Sequence, residues 1–268
     1  MNSIVLRIAE LIKVKDLMTS DIYYYSGLPE DIEFCRDRDI EWLPLRSSRK
    51  YMLFDKKTET FIEREIKQEE IISPEMIISD YIEATKKADL FFVMDKTSLI
   101  GIIHFSDLIN SWAYIYFYAI FHEFEKQVRD ILSKKDKHNE DFFEWYKNTK
   151  INNLEKNEEK KLAIKNLERI EKEKREIILP KFQYFDLRDL LKFMKYEKID
   201  INGFPIENKV IKSIPDIRNT IMHHKDISPR QNNEGVGSKF LYRRDAYDKF
   251  LEGYDLTLRM LKIEQSIK

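Results

Sequence analysis

At 268 residues, with 43% hydrophobic and 13% aromatic residues, the chain has the composition of a globular protein and the length for two modest domains, which excludes an intrinsically disordered chain. Its longest unbroken apolar run, Trp112 to Phe121, falls well short of the roughly 20 residues of a membrane helix, and the opening Met-Asn-Ser-Ile-Val-Leu-Arg-Ile-Ala-Glu lacks a signal-peptide layout, so we expect a cytoplasmic protein with no membrane partner. The net charge of −1 conceals an asymmetry: residues 1–110 hold 15 Lys and Arg against 21 Asp and Glu, and residues 111–268 hold 32 against 27, which assigns any polyanion to the back of the chain.

Residues 1–110 alternate short helical and strand-like stretches. Pro29 to Asp39 is expected to be a helix with proline near its first turn. It carries the single cysteine, Cys35, which excludes an internal disulfide framework and reads as an ordinary partly buried thiol. Tyr51-Met-Leu-Phe-Asp-Lys56 is four apolar residues followed by Asp-Lys, which predicts a buried strand entering a hairpin that Thr60-Phe-Ile62 completes. The pattern then repeats, with a proline-led helix from Pro74 to Lys87 followed by Phe91-Phe-Val-Met-Asp-Lys96 and Leu99-Ile-Gly-Ile-Ile103. Two helix-then-hairpin units in tandem make a diverged internal duplication.

From Asn110 onward helices dominate. Phe117, Phe121, Phe124, Val128 and Ile131 form one stripe, which predicts an amphipathic helix over Ser111–Leu132. Lys147 to Ile178 holds ten basic and seven acidic residues and reads as one long solvent-laced helix with a break near Asn152-Asn153, closed by Pro180. A further helix is expected over Phe185–Tyr196, and a turn at Asn202-Gly-Phe-Pro205. Ser213-x-x-Asp216 resembles a capping box with Pro215 in the first turn, so the next helix should begin at Ile214. Pro229 and Gln231–Gly237 mark a flexible loop, and Phe240 to Ile263 reads as a closing amphipathic helix.

The segment Ile214–Lys225 carries the densest chemistry. It sets Arg218, Asn219, His223 and His224 within seven residues, and two of the chain's five histidines fall here. Histidine moves protons near neutral pH and arginine is a permanent planar clamp for phosphate oxygens, so the pair suits RNA cleavage without a metal. No His, Asp, Glu or Cys cluster has metal-ligand spacing, and none is expected to bind a metal. The competing reading is that Arg218 and Asn219 cap or salt-bridge the helix and the histidines form an exposed tip. On a helix, residues five apart lie about 140° around the axis and roughly 7.5 Å along it, so Arg218 and His223 of one chain do not share a face.

Two resemblances extend this reading and together imply an α+β chain. Val14-Lys-Asp-Leu-Met-Thr19 and Leu90–Leu108 resemble a tandem pair of CBS domains (a Bateman-type α/β module) over residues 1–110. In that family a glycine-apolar-apolar-Thr/Ser-x-x-Asp run lines the ribose and phosphate of an adenosine ligand. Here it reads Gly101-Ile-Ile-His104-Phe-Ser106-Asp107, so the resemblance implies a site for AMP, ATP or S-adenosylmethionine at Gly101, His104, Ser106 and Asp107. His104 stands where the family usually has a hydroxyl residue. The first copy, Phe61–Ile66, has neither the glycine nor the aspartate, so at most one site per chain is implied. The alternative is a dimerisation scaffold in which Asp107 caps a helix.

Residues 111–268 are similar to a HEPN domain, an all-α helical bundle common in prokaryotic defence and toxin ribonucleases. The carrying residues are Arg218-Asn219-Thr-Ile-Met-His223 and an opening helix, Phe121-His-Glu-Phe-Glu-Lys-Gln-Val-Arg-Asp130. The resemblance implies a metal-independent endoribonuclease whose site forms between two copies of the chain and leaves 2′,3′-cyclic phosphate ends. His223 would be the general base or acid, Arg218 would hold the scissile phosphate and Asn219 would orient one of them. It also implies an RNA substrate, a homodimer and, as in toxin systems, an antitoxin partner, with no DNA expected. Lys225, Arg230, Arg243 and Arg244 are the expected phosphate-backbone contacts. Glu123 and Arg129 read as a solvated face, the alternative being partners that support the site residues, and His224 as a bystander. The alternative function is a non-catalytic, nucleotide-responsive regulator that binds RNA or protein.

Overall fold

Each repeated apolar-Asp-Lys segment does form a hairpin, and in the first the aspartate shapes the turn: the Asp55 carboxylate accepts a hydrogen bond from the Lys57 N–H at 2.8 Å, the local bond that makes Asp a turn former. The computed structural model describes residues 4–38, 40–46, 48–176, 182–223, 227, 230–232, 240–242 and 244–262. The chain is mixed α and β with small sheets and divides into two compact units. One contains residues 1–119 and 220–250, the other residues 120–219 and 251–264. The boundary expected at residue 110 therefore falls nine residues later, inside a helix, and a later stretch of chain belongs with the first unit.

In the first unit, α1 (Ile4–Leu11) and α2 (Glu30–Arg38) precede β1 (Trp42–Pro44), β2 (Lys50–Asp55) and β3 (Thr60–Glu65), an antiparallel meander with Leu43 opposite Met52 and Leu53 opposite Ile62. After β4 (Ile71–Ile72) and α3 (Ile78–Ala84), β5 (Leu90–Asp95) runs parallel to β4 and antiparallel to β6 (Ser98–His104). Thr19 pairs with Ile102 of β6 through two backbone hydrogen bonds of 2.9 and 3.0 Å, so this early residue joins the second hairpin. One core gathers Cys35, Leu43 and Phe54, and a second gathers Tyr51, Ile66 and Phe92. Burial pushes the Cys35 thiol up to about 11, which leaves it unreactive.

The second unit is helical. It contains most of α4 (Ser111–Lys134), α5 (Asn139–Trp145), α6 (Asn157–Glu176), α7 (Leu187–Tyr196) and α8 (Asn208–Met222). The break anticipated at Asn152-Asn153 occurs: a wide-turned stretch, Tyr146–Ile151, precedes α6 and the two asparagines lie between them. Pro180 lies outside the described residues. Asp186 caps α7 by accepting from the Asp189 N–H at 3.0 Å, and the buried stripe Leu187, Leu190, Leu191 and Met194 explains why this short helix forms. At the aromatic centre Phe142 stacks on Phe185 with centroids 3.8 Å apart, and Phe193 meets Phe142 edge-on.

Two element boundaries depart from expectation. Helix α8 begins at Asn208, so Pro215 is interior and Ser213-x-x-Asp216 is not a cap. The buried stripe Val210, Ile211, Ile214, Ile217 and Ile221 runs straight through the proline, and burying it outweighs the hydrogen bond that proline forfeits. At the other end, Phe240–Tyr242 is not helical. It forms β8 against β7 (Arg230–Asn232), and α9 (Arg244–Leu261) starts only afterwards; Phe-Leu-Tyr fits a pleated ladder as well as a helix. Residues 233–239 of the expected loop lie outside the described residues.

The assignment of 220–250 to the first unit has a plain cause. Tyr247 stacks on Phe105 at 4.9 Å and its hydroxyl shares a 2.7 Å hydrogen bond with that of Thr85, while Phe250 meets Phe117 edge-on at 4.8 Å. In the second unit, Gly253 of α9 makes room for Ile217, and Asn202, in left-handed backbone with φ 55°, donates its side-chain amide to the Met260 carbonyl at 2.6 Å. Among the described residues no helix is long and apolar enough to cross a membrane.

Candidate functional site

Arg218 sits on α8 with its side chain 28% exposed. Its Nε donates to Oε2 of Glu125 on α4 at 3.0 Å, its Nη2 lies in ion-pair contact with the same oxygen at 3.0 Å, and its Nη1 donates to Asn219 Oδ1 at 3.1 Å. The other Glu125 oxygen accepts from Arg129 Nη2 at 2.6 Å. Arg129 is fixed in turn by the carbonyls of Phe182 and Phe185, at 3.2 and 3.3 Å. Arg129 is thus no solvated-face residue: its planar fork is spent on one carboxylate and three carbonyls, that of Glu125 included. One carboxylate between two guanidiniums leaves a local surplus of positive charge.

Two clefts meet at this network. The first, of about 650 Å³, is lined by His122, Glu125, Lys126, Arg129, Asp130, Ser133, Gln183 and Arg218. The second, of about 600 Å³, shares Glu125, Arg129, Gln183 and Arg218 and adds Arg169, Arg188, Asp216 and Asn219 among others. The α4 contribution to the first cleft follows from helical geometry: positions 122, 125, 126, 129, 130 and 133 share one face. That polar stripe complements the apolar one and was readable in the sequence, but its opposite wall, Arg218, lies 93 residues away in the chain. Glu125, Lys126 and His122 are the residues that the motif reading left out.

The other expected catalytic positions are distributed as follows. Asn219 follows Arg218 on α8 and accepts from it. His223 is the exposed turn residue directly after α8. Lys225, Arg243 and His224 lie outside the described residues, and Arg230 opens β7. Arg244 opens α9, where it pairs with Asp89 and, at 2.8 Å, with Asp248 while lying over the rings of Phe105 and Tyr247. That guanidinium anchors the opening turns of α9 within the first unit, and its charge is already compensated. Among the described residues no group of three or more His, Cys, Asp or Glu side chains is arranged to hold a metal.

In the first unit, Gly101, His104, Ser106 and Asp107 end β6 and begin the short turn Phe105–Ile109. His104 Nδ1 lies 2.8 Å from Ser106 Oγ and accepts from the Ser106 N–H at 3.2 Å, and Asp107 Oδ2 accepts from the His104 N–H at 2.7 Å. Burial pushes Asp107 up to about 6 against the pull of that hydrogen bond. Burial also pushes His104 down to about 4, outweighing the opposite influence of Asp89 and reinforced by Arg244. These groups bond one another in a reciprocal cap, so a ribose or phosphate placed here would have to displace those hydrogen bonds. Gly101 is needed for a different close approach than the one expected: a Cβ there would overlap the Met18 sulfur and lie 3.0 Å from Met18 Cγ. Gly101→Ala should therefore lower stability by about 1–2 kcal/mol, read from urea denaturation midpoints. The same change made on a Met18→Ala background should cost almost nothing.

Comparison with protein-family models, with curated proteins and with solved structures returned no match.

Proposed function

We propose that the chain is a metal-independent endoribonuclease of the HEPN type, acting as a homodimer. In this reading Arg218 grips the scissile phosphate, Asn219 orients Arg218, and His223 transfers the proton at the 2′- or 5′-oxygen. The observation that carries it is the Arg218 guanidinium, held by Glu125 at the edge of a cleft whose shared carboxylate leaves net positive charge. A preoriented cation with N–H groups to spare is what a developing phosphorane charge requires. A two-fold dimer would bring a second copy of each residue to the same phosphate. Cytoplasmic location and use as a toxin or defence effector belong to the same proposal.

Cleavage of single-stranded RNA in EDTA is the test. Arg218→Ala and His223→Ala should each lower the rate about 10²–10⁴-fold, with the release of 2′,3′-cyclic phosphate ends falling in proportion. Equal rates for both variants and the wild type would end this reading.

One observation favours a second reading. Three Arg218 nitrogens are already engaged by Glu125 and Asn219, which suits a structural role in a non-catalytic RNA- or protein-binding regulator. That regulator would bind RNA equally well after His223→Ala and release no cyclic phosphate. Control by an adenine nucleotide at residues 101–107 would require displacing the His104–Ser106 pair. Titration calorimetry with AMP, ATP and S-adenosylmethionine tests it, and heat with none of them removes nucleotide control from the proposal.

A further inference from the structure

The two clefts beside Arg218 differ in charge. The second is neutral, with four arginines facing four carboxylates, and Arg188–Asp216 and Arg169–Glu173 pair within it. The first has three fixed cations, Lys126, Arg129 and Arg218, against the carboxylates of Glu125 and Asp130. An anion entering from water is therefore favoured in the first cleft. The imidazole that lines this cleft is His122, which is exposed. It lies three residues before Glu125 on α4, a spacing that leaves about 5–6 Å between Cβ atoms on a helix surface. Glu125 is the carboxylate that Arg218 grips, so imidazole and guanidinium line one cleft within a single chain.

We propose that His122, Lys126 and Arg218 form a binding site for a phosphate ester and that His122 is the proton acceptor there. The inference rests on the ribonuclease reading for its reaction and on the cleft for its binding. Arg218 and Lys126 contact the phosphate oxygens. His122 takes the proton of the 2′-hydroxyl as the O2′–P bond forms and the P–O5′ bond breaks. The departing O5′ takes a proton from His223, the other proton-transfer residue of the ribonuclease reading, and exchange with water returns one proton to His223 and removes one from His122. The net change is isomerisation of a diester to a cyclic phosphate and a 5′-hydroxyl, with no other reactant consumed. Each protomer then carries an acid–base residue in addition to His223, and a base for O2′ is available without a contribution from the second copy.

Two measurements on the full-length protein test this. The first follows the His122 ring carbon-bound proton by NMR during titration with inorganic phosphate and with uridine 3′-monophosphate. We expect a saturable shift with both, tighter with the nucleotide, and an affinity about tenfold weaker in Arg218→Ala. The second compares the pH–rate profile of RNA cleavage for wild type and His122→Asn, with circular dichroism checking that the variant keeps its fold. We expect kcat to fall about 10²-fold, the limb at low pH to vanish and KM to change little. A His122 signal that neither ligand moves overturns the site. An unaltered pH profile in His122→Asn overturns the proton role. Saturable phosphate shifts without cleavage by any variant would sink the ribonuclease reading and leave the binding site standing. Cleavage that needs Arg218 with a silent His122 would do the reverse.

Discussion

Asp189→Ala should destabilise the protein by about 3–5 kcal/mol, because it strands a buried ammonium. Lys150 and Asp189 have side chains only 20% and 10% exposed and pair directly. The Lys150 ammonium also donates to the Tyr146 hydroxyl at 3.0 Å and lies 4.1 Å from the centre of that ring. Burial alone would pull the Lys150 amine down, but Asp189 and Tyr146 outweigh it and hold the amine above its ordinary range. Without the carboxylate, the amine must either stay charged without its counterion or give up its proton. Replacing both partners, Lys150→Met with Asp189→Leu, should come much closer to wild type than either single change, since no charge is then left uncompensated. Denaturant midpoints measure Asp189→Ala, the two other single variants and the double, and additivity in the double would show that the pair is not coupled.

The second large effect is hidden in the wild type by cancellation. His104 titrates near 4 when folded against an ordinary 6.5. The stability it contributes is complete above pH 6.5 and is lost as pH falls through 4. Asp107 titrates near 6 when folded against an ordinary 3.8. Its contribution is complete below pH 3.8 and is lost as pH rises through 6. Between pH 4 and 6 the two slopes oppose each other, and each is worth about 2–3 kcal/mol over the window. Asp107→Asn keeps an acceptor for the His104 N–H and removes one slope. It should gain stability relative to wild type at pH 7 and lose that advantage as the pH falls to 4. His104→Asn retains a capping side chain and should show the reverse, gaining relative to wild type on acidification. Urea midpoints at pH 4.5 and 7 suffice, and parallel behaviour of both variants and wild type would refute the opposition.

Both hairpins were legible from the sequence because a buried strand and its turn are local: four apolar residues, an aspartate and a return stretch lie within a dozen positions. The break before α6 was legible for the same reason, from two adjacent asparagines. What escaped was decided between distant residues. Pro215 and Ser213-x-x-Asp216 imitate a helix start, and only the burial of Val210 and Ile211 shows that α8 begins a turn and a half earlier. Phe240-Leu-Tyr242 continues a helical apolar pattern and becomes a strand because Arg230–Asn232 offers it a ladder. In the candidate site, Arg218 was identified by its residue type and neighbours. Its anchor Glu125 is 93 positions away, and the polar face of α4 resembled ordinary solvated surface until α8 closed over it.

The chain leaves its first unit at residue 119 and comes back to it for residues 220–250. Genetic dissection at a single point would therefore never yield either half intact. A truncated piece ending at 119 would expose to solvent the Phe105 ring and Thr85 hydroxyl that Tyr247 now covers. A protease nick anywhere in 120–219 would leave the severed ends tied together, so the cut protein should still migrate as one particle until denatured.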